Sequence, residues 1–179
     1  VISMAAGVPL EALREKGVDK AVRAMPNMAL EYREGVTGWT ASEGCSQDDK
    51  KKAEEVLGLL GATFELPEEQ LDALTGLSGS GVAYLLSVAK TFIDTGKDEG
   101  MEKETASAVM AGTFRSAARL LEEGDVESWL DRIASAGGTT EQGLKAMEEG
   151  GVDEALQETL AATVRKCQDL SSRLTSQKP

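Results

Sequence analysis

Histidine is absent from the 179 residues. That removes imidazole general bases, Ser-His and Cys-His nucleophile pairs, and most catalytic zinc sites. Cysteine is scarce: Cys45 and Cys167 stand far apart with no Cys-x-x-Cys spacing. A thiolate metal cage and a disulfide scaffold are excluded, no metal is expected, and a reducing, cytoplasmic location is the default. Basic residues are outnumbered, 19 Lys and Arg against 31 Asp and Glu, for a formal net charge of −12. Such a surface repels phosphate backbones, so no nucleic-acid partner is expected. No stretch approaches the roughly 18 uncharged apolar residues of a membrane span, so no membrane partner is expected either. The apolar start, Val1 to Ala6, has no basic flank before it and does not read as a signal peptide. Position 1 is not Met, so a fragment or trimmed chain is expected. What is present is a 41% hydrophobic content, enough for a real core. The length suits one ordinary domain, or one and a half small ones.

Two textures follow one another along the chain. Up to about Leu66, short β-like runs alternate with helical ones. Val1 to Ala5 is compact and apolar, and Gly7 breaks it. Leu10 to Arg14 reads as a short helix after Pro9, stopped by Gly17. Lys20 to Met25 is a strand candidate ending at the turn signal Pro26-Asn27. Gly35 to Ala41 is β-rich, and Ser46 to Leu60 is a helix with Ser46 as N-cap and Asp48 and Asp49 in its first turn. Ala62 to Leu66 is a last short strand. Strands alternating with helices predict an α/β fold with a largely parallel sheet.

The second region is helical. Ser80 to Thr95 begins apolar nearly all round, as a helix enclosed by others does. Glu102 to Glu123 is rich in Ala and Gly. Shorter helices are expected from Val126 to Ile133 and from Thr139-Thr140 to Gly150-Gly151. The last helix, from Val152 to about Leu174, has an apolar stripe of Leu156, Leu160, Val164, Cys167, Leu170 and Leu174. Arg165, Asp169 and Arg173 share another face at spacings suited to solvated pairs. Few residues remain to cover these stripes, so they are expected to be shared between two subunits.

Three stretches have the composition of a site. In Ser135-Ala136-Gly137-Gly138-Thr139-Thr140-Glu141-Gln142, two glycines free the backbone, and Thr139 with Gln142 has capping-box spacing. Amides at a helix start favour an anion, so a small carboxylate fits, with a Thr hydroxyl as an extra donor; from local sequence alone a capped interhelical loop is the commoner reading. Ser78-Gly79-Ser80-Gly81 leads into the apolar helix. It lacks the GK[ST] of a phosphate loop and the third glycine of GxGxxG. It reads either as a tight turn or as backbone that closely approaches a ligand. Ala5-Ala6-Gly7 and Met25-Pro26-Asn27 sit just past the carboxyl ends of expected parallel strands, where ligands of open α/β sheets bind. Small residues there suit a flat ring, and Asn27 has the amide to hydrogen-bond one; ordinary loop chemistry is the alternative. Lys50-Lys51-Lys52 reads as a solvated helix face, Trp39 and Trp129 as core or interface, and the cysteines as small buried apolar residues. Glu122 and Glu123 end a helix and could approach the bundle loop; ordinary surface acids are the alternative.

The order of the blocks VISMAAGV, VRAMPN (Val22 to Asn27), LDALTGLSGSGVAYLL (Leu71 to Leu86) and IASAGGTTEQGLKAMEEGGVDEAL (Ile133 to Leu156) resembles the pyrroline-5-carboxylate reductase family over essentially the whole chain. The resemblance implies an α/β plus all-α architecture. A partial Rossmann, doubly wound sheet in residues 1–70 precedes a helical substrate-binding and dimerisation bundle in residues 71–179. It implies a homodimer, possibly extended into a larger ring, and reduction of 1-pyrroline-5-carboxylate to L-proline with NADPH or NADH. It assigns Ser135, Gly137, Gly138, Thr139 and Thr140 to the substrate carboxylate, with Glu123 near the substrate. It assigns Ala5, Ala6, Gly7, Met25, Pro26 and Asn27 to the nicotinamide end of the cofactor, and Ser78, Gly79, Ser80 and Gly81 to a domain-boundary loop. No acid or base is implied, because hydride transfer to a protonated imine rests mainly on proximity and orientation. Four residues depart from the family pattern: Val82 and Ala136 stand where Pro is usual, and Met28-Ala29 where Thr-Pro is usual. The strand, GxGxxG-like loop and helix that bind the pyrophosphate have no counterpart, so the chain is expected to enter the Rossmann domain about halfway and to be inactive alone. The alternatives are an inactive dimerisation module of the same descent, or an imine or keto reductase for another small acid.

Overall fold

The computed structural model describes residues 1–176, with side chains to residue 173. Its contacts divide the chain into two compact units. One is Val1–Ala83 with the chain from Glu158 onward, the other Tyr84–Gln157, and both crossings fall inside helices.

The first unit is built on a sheet of order β1-β2-β3-β4. Its strands are β1 (Ile2–Ser3), β2 (Val22–Pro26), β3 (Gly35–Ala41) and β4 (Gly61–Glu65). β1 pairs with β2 and β3 with β4 in parallel, joined through α1 (Leu10–Glu15) and α2 (Gln47–Gly58). β2 and β3 are antiparallel, so the sheet is mixed rather than largely parallel. The cause is the connection, residues 27–34, which holds one 3-10 turn (Met28–Tyr32) and is too short for the crossover a parallel pair requires. α2 starts as its sequence suggests. Ser46 Oγ accepts from the Asp49 amide at 3.2 Å, and the Asp49 carboxylate accepts from the Ser46 amide at 2.9 Å.

Strand alternation sends successive side chains to opposite faces. On one face Val22, Ala24 and Trp39 pack with Ala53 and Leu57 of α2. On the other lies a helical run comprising a 3-10 turn (Glu68–Gln70), α3 (Leu71–Leu74) and a π-helical turn (Thr75–Gly79). Gly38 of β3 permits this approach, since a Cβ there would stand 2.1 Å from Leu74 Cδ2 and 3.3 Å from Leu71 Cδ2. The end of α8 (Val152–Ser176) covers the run in turn: Leu160 fills the space above Gly76, and Cys167 is buried. Its stripe is therefore covered from Leu160 to Leu170, while Leu156 is exposed and the Leu174 side chain lies outside the described residues. Arg165 pairs with Glu158 rather than with Asp169.

The second unit comprises most of α4 (Gly81–Asp98), with α5 (Lys103–Glu123), α6 (Val126–Ile133), α7 (Thr139–Glu149) and the start of α8. Of its described apolar side chains only Ala89 and Ala106 are buried, while Leu85, Leu86, Phe92, Val109 and Leu121 are each at least half exposed. Trp129, with Arg132 4.0 Å over its ring, lines an apolar groove of about 220 Å³ between α5 and α6. The continuous helical stretch Glu68–Asp98, with a mean hydropathy of 1.2 in its most apolar window, is long and apolar enough to cross a membrane by length and composition. That is closer to a span than the sequence suggested. Its first half is instead occupied by packing on the sheet, with Leu71, Thr75 and Gly76 buried there.

Gly38→Ala places a methyl inside the Leu71–Leu74 contact. A loss of about 1–3 kcal/mol is expected in denaturant unfolding, and an unchanged midpoint would show that the helical run can retreat.

Candidate active site

Because β1 and β2 run parallel, the segments leaving their carboxyl ends emerge at one edge of the sheet. Ala5 and Ala6 are exposed there. Gly7 is buried at φ +73°, and a Cβ on it would lie 2.7 Å from Leu170 Cβ. Its carbonyl accepts from the Ser171 hydroxyl at 3.1 Å. The turn is therefore backed by α8, and only glycine suits both its conformation and its clearance.

Met25 and Pro26 are half-buried, and Asn27 is 7% exposed. The Asn27 side-chain oxygen accepts from the amides of Ala29 at 3.1 Å and Val36 at 3.3 Å. Its Nδ2 donates to Ser78 Oγ at 3.0 Å. Asn27 thus caps the 3-10 turn and ties the end of β2 to the glycine-rich segment. The hydrogen bond expected from it to a flat ring is left only the remaining N–H, because the oxygen already serves two amides.

The stretch Ser78-Gly79-Ser80-Gly81 is not an open turn. Ser78 and Gly79 end the π-helical turn, the Ser80 amide donates to the Thr75 carbonyl at 2.7 Å, and α4 begins at Gly81. A Cβ on Gly79 would meet Met25 Cε at 3.0 Å, so the glycine seats the methionine. π-Turns inside helices are frequent at functional sites. Two of the stretches singled out in the sequence are thus in direct contact.

The third stretch belongs to the other unit. Gly138, not Thr139, is the N-cap of α7, and no side chain closes a capping box. The loop is instead held by Ser135, whose carbonyl accepts from the Gly138 amide at 2.9 Å, and by Glu141, whose carboxylate accepts from the Gly137 amide at 2.8 Å. Thr139 and Thr140 are the first helical residues, so their amides have no intrahelical acceptor. Ser135, Gly137 and Thr139 are exposed; Gly138 and Thr140 are half-buried. Glu123 is exposed at the end of α5 and paired with Arg119 one turn earlier.

The structure adds a buried charge cluster that the sequence did not suggest. Arg23 of β2, 6% exposed, donates from Nη1 to Glu68 Oε1 at 3.1 Å and from Nη2 to Asp72 Oδ1 at 3.2 Å. Glu68 Oε1 also accepts from the Leu10 amide at 2.8 Å. The signals that could have found it are an arginine inside an apolar strand and two acids one helical turn apart. Cys167 lies near this cluster. Burial pushes its thiol up, the Asp72 carboxylate adds to that, and the Thr75 hydroxyl and Arg23 oppose it.

Residues 68–170 match the family described as pyrroline-5-carboxylate reductase dimerisation. The chain belongs to the pyrroline-5-carboxylate reductase family. It is 34% identical over 177 residues to the pyrroline-5-carboxylate reductase of Methanosarcina acetivorans, a match covering 97% of this chain and 66% of that relative. Among solved structures it is similar to the Plasmodium falciparum pyrroline carboxylate reductase with NADP bound, with TM-score 0.91, 25% identity, and 96% and 69% of the two chains covered. It is also similar to the Coxiella burnetii pyrroline-5-carboxylate reductase, with TM-score 0.88, 34% identity, and 96% and 65% covered. The chain spans between 59% and 66% of the length of the first curated relatives it matches.

Asn27→Ala removes the cap and leaves the Val36 amide without its side-chain acceptor. A loss of about 2 kcal/mol is expected, read by denaturant unfolding; an unaltered stability would remove Asn27 as the tie between β2 and the π-turn.

Proposed function

We propose that this chain is the substrate-binding, dimerising part of a reductase that converts 1-pyrroline-5-carboxylate to L-proline with NADPH or NADH, in the cytoplasm. The observation that carries the reading is the 34% identity over 97% of the chain to a pyrroline-5-carboxylate reductase. The edge formed by β1 and β2 supports it. Exposed Ala5 and Ala6 leave room for a flat ring at the strand ends, and Gly7 keeps the turn close to α8. These residues with Met25, Pro26 and Asn27 would hold the nicotinamide end. When bound, that group supplies the hydride for the C=N carbon. The pyrophosphate has no glycine-rich cradle among the described residues, so these 179 residues alone are expected not to turn over.

The α7 start is suited to the substrate carboxylate. The amides of Thr139 and Thr140 are free of intrahelical bonds, and the helix dipole favours an anion there. Ser135, Gly137 and Gly138 shape that loop, while Glu123 takes a lesser part because its carboxylate is engaged by Arg119. Residues 71–179 form the dimerisation part, and a second copy covers the exposed Leu85, Leu86 and Phe92 of α4. Contiguous exposed apolar faces of this kind mark interaction surfaces.

The match of residues 68–170 to a dimerisation family favours a second reading, an inactive dimerisation module. Oxidation of NADPH or NADH with 1-pyrroline-5-carboxylate by the full-length product of the reading frame separates the two, since the module gives none. In the active protein, Thr140→Ala is expected to raise the substrate KM by roughly 1–2 kcal/mol, about five- to thirtyfold, with the cofactor KM unchanged; an unchanged substrate KM would argue against the carboxylate role. Light scattering is expected to give at least twice the chain mass, and Phe92→Glu to lower it; a monomeric parent would overturn the shared-face reading.

A further inference from the structure

β2 places three side chains on the face that meets the helical run. Arg23 grips Glu68 and Asp72, Met25 lies against Gly79, and Asn27 bonds Ser78. Of these, Arg23 is the costly one. A guanidinium taken out of water is penalised unless paired, and a buried pair is commonly no more stabilising than apolar residues of the same volume. Stability alone is thus a weak reason for the cluster.

Its connections suggest another. Glu68 Oε1 accepts from Arg23, two residues before Met25, and from the amide of Leu10, three residues after Gly7. One carboxylate oxygen therefore links the two segments that flank the strand-end edge. A one-residue slip of β2 would turn Arg23 to the opposite face, so the ion pair also sets the register that delivers Met25-Pro26-Asn27.

We propose that Glu68, with Arg23, is a positioning clamp for the loops Ala5–Gly7 and Met25–Asn27. The proposal rests on the nicotinamide reading of those loops given above. Glu68 touches no substrate; it acts through the Leu10 amide and the Arg23 side chain that it ties. Asp72 shares the guanidinium, but no bond from it to Leu10 is present among the described residues, and it supplies the internal control.

The test compares the full-length protein with its Glu68→Ala and Asp72→Ala variants, each removing one carboxylate from the same guanidinium; Gln at position 68 would keep an oxygen able to accept from Leu10. Glu68→Ala is expected to lower kcat about tenfold and to raise the dinucleotide KM, with the imino-acid KM within about twofold. Asp72→Ala is expected to lower the melting temperature as far as Glu68→Ala does while leaving kcat within about twofold. Equal kcat losses in the two variants, or an unchanged kcat in Glu68→Ala, would overturn the clamp. Should Glu68→Ala not fold, Glu68→Asp, which keeps the charge but is one methylene short of Leu10, carries the same expectation. Hydrogen exchange at the Leu10 amide tests the clamp without turnover: it is expected to quicken in the Glu68 variants only, and equal rates in all proteins overturn the proposal. A parent inactive with either dinucleotide would instead sink the reductase reading, which separates the two failures.

Discussion

The first unit depends on one strand having two incompatible faces. Val22 and Ala24 of β2 point into an apolar layer with Trp39 and α2, while Arg23, Met25 and Asn27 point at the helical run that begins at Glu68. Period-two alternation keeps these sets apart, and the buried guanidinium makes any other register costly. The strand-end edge and the seat of the π-turn follow from that register, because Met25 meets Gly79 and Asn27 bonds Ser78 from the face already set.

The second unit is organised by the opposite circumstance. Its helices are long and apolar on wide faces, yet only Ala89 and Ala106 are buried among its described apolar side chains. Helices of this length draw most of their stability from packing of an amphipathic face, which is why the apolar faces of α4 and α5 suit the second copy proposed above. The proposed reduction suits a histidine-free chain: amides at a helix start can hold a carboxylate, and a strand-end edge can orient a hydride donor, without an imidazole.

Much of the fold is legible in the chain. The limits of α2, α5, α6 and α7 fall within about two residues of expectation, because Ser46, Asp125, Gly124 and the Gly150-Gly151 pair are strong local punctuation. Three features are not. Antiparallel pairing of β2 and β3 depends on how far a connection reaches, not on strand composition. The glycines of the SGSG stretch suggest a turn, whereas Gly79 serves to admit Met25 and the backbone stays helical. At α7 the spacing of Thr139 and Gln142 suggests a capping box, but the chain turns one residue earlier and Glu141 satisfies the loop.

The candidate site divides in the same way. Glycine pairs, helix starts and strand ends are local signals, so the amino-acid order alone marks which stretches are special, and the succession of those stretches points to a family. Charge and hydropathy, read the same way, raise the expectations of no nucleic-acid partner and of a partner against the apolar helix faces. Folding was needed to bind Asn27 to Ser78, to rest Gly7 on Leu170, and to bring Arg23 to Glu68 and Asp72. Those contacts join residues 45 or more positions apart, and no local pattern specifies them. They exist because a twisted sheet, a helical run and the end of α8 close on one another, and the cost of burying a charge or leaving an amide unpaired selects the arrangement that satisfies all of them together.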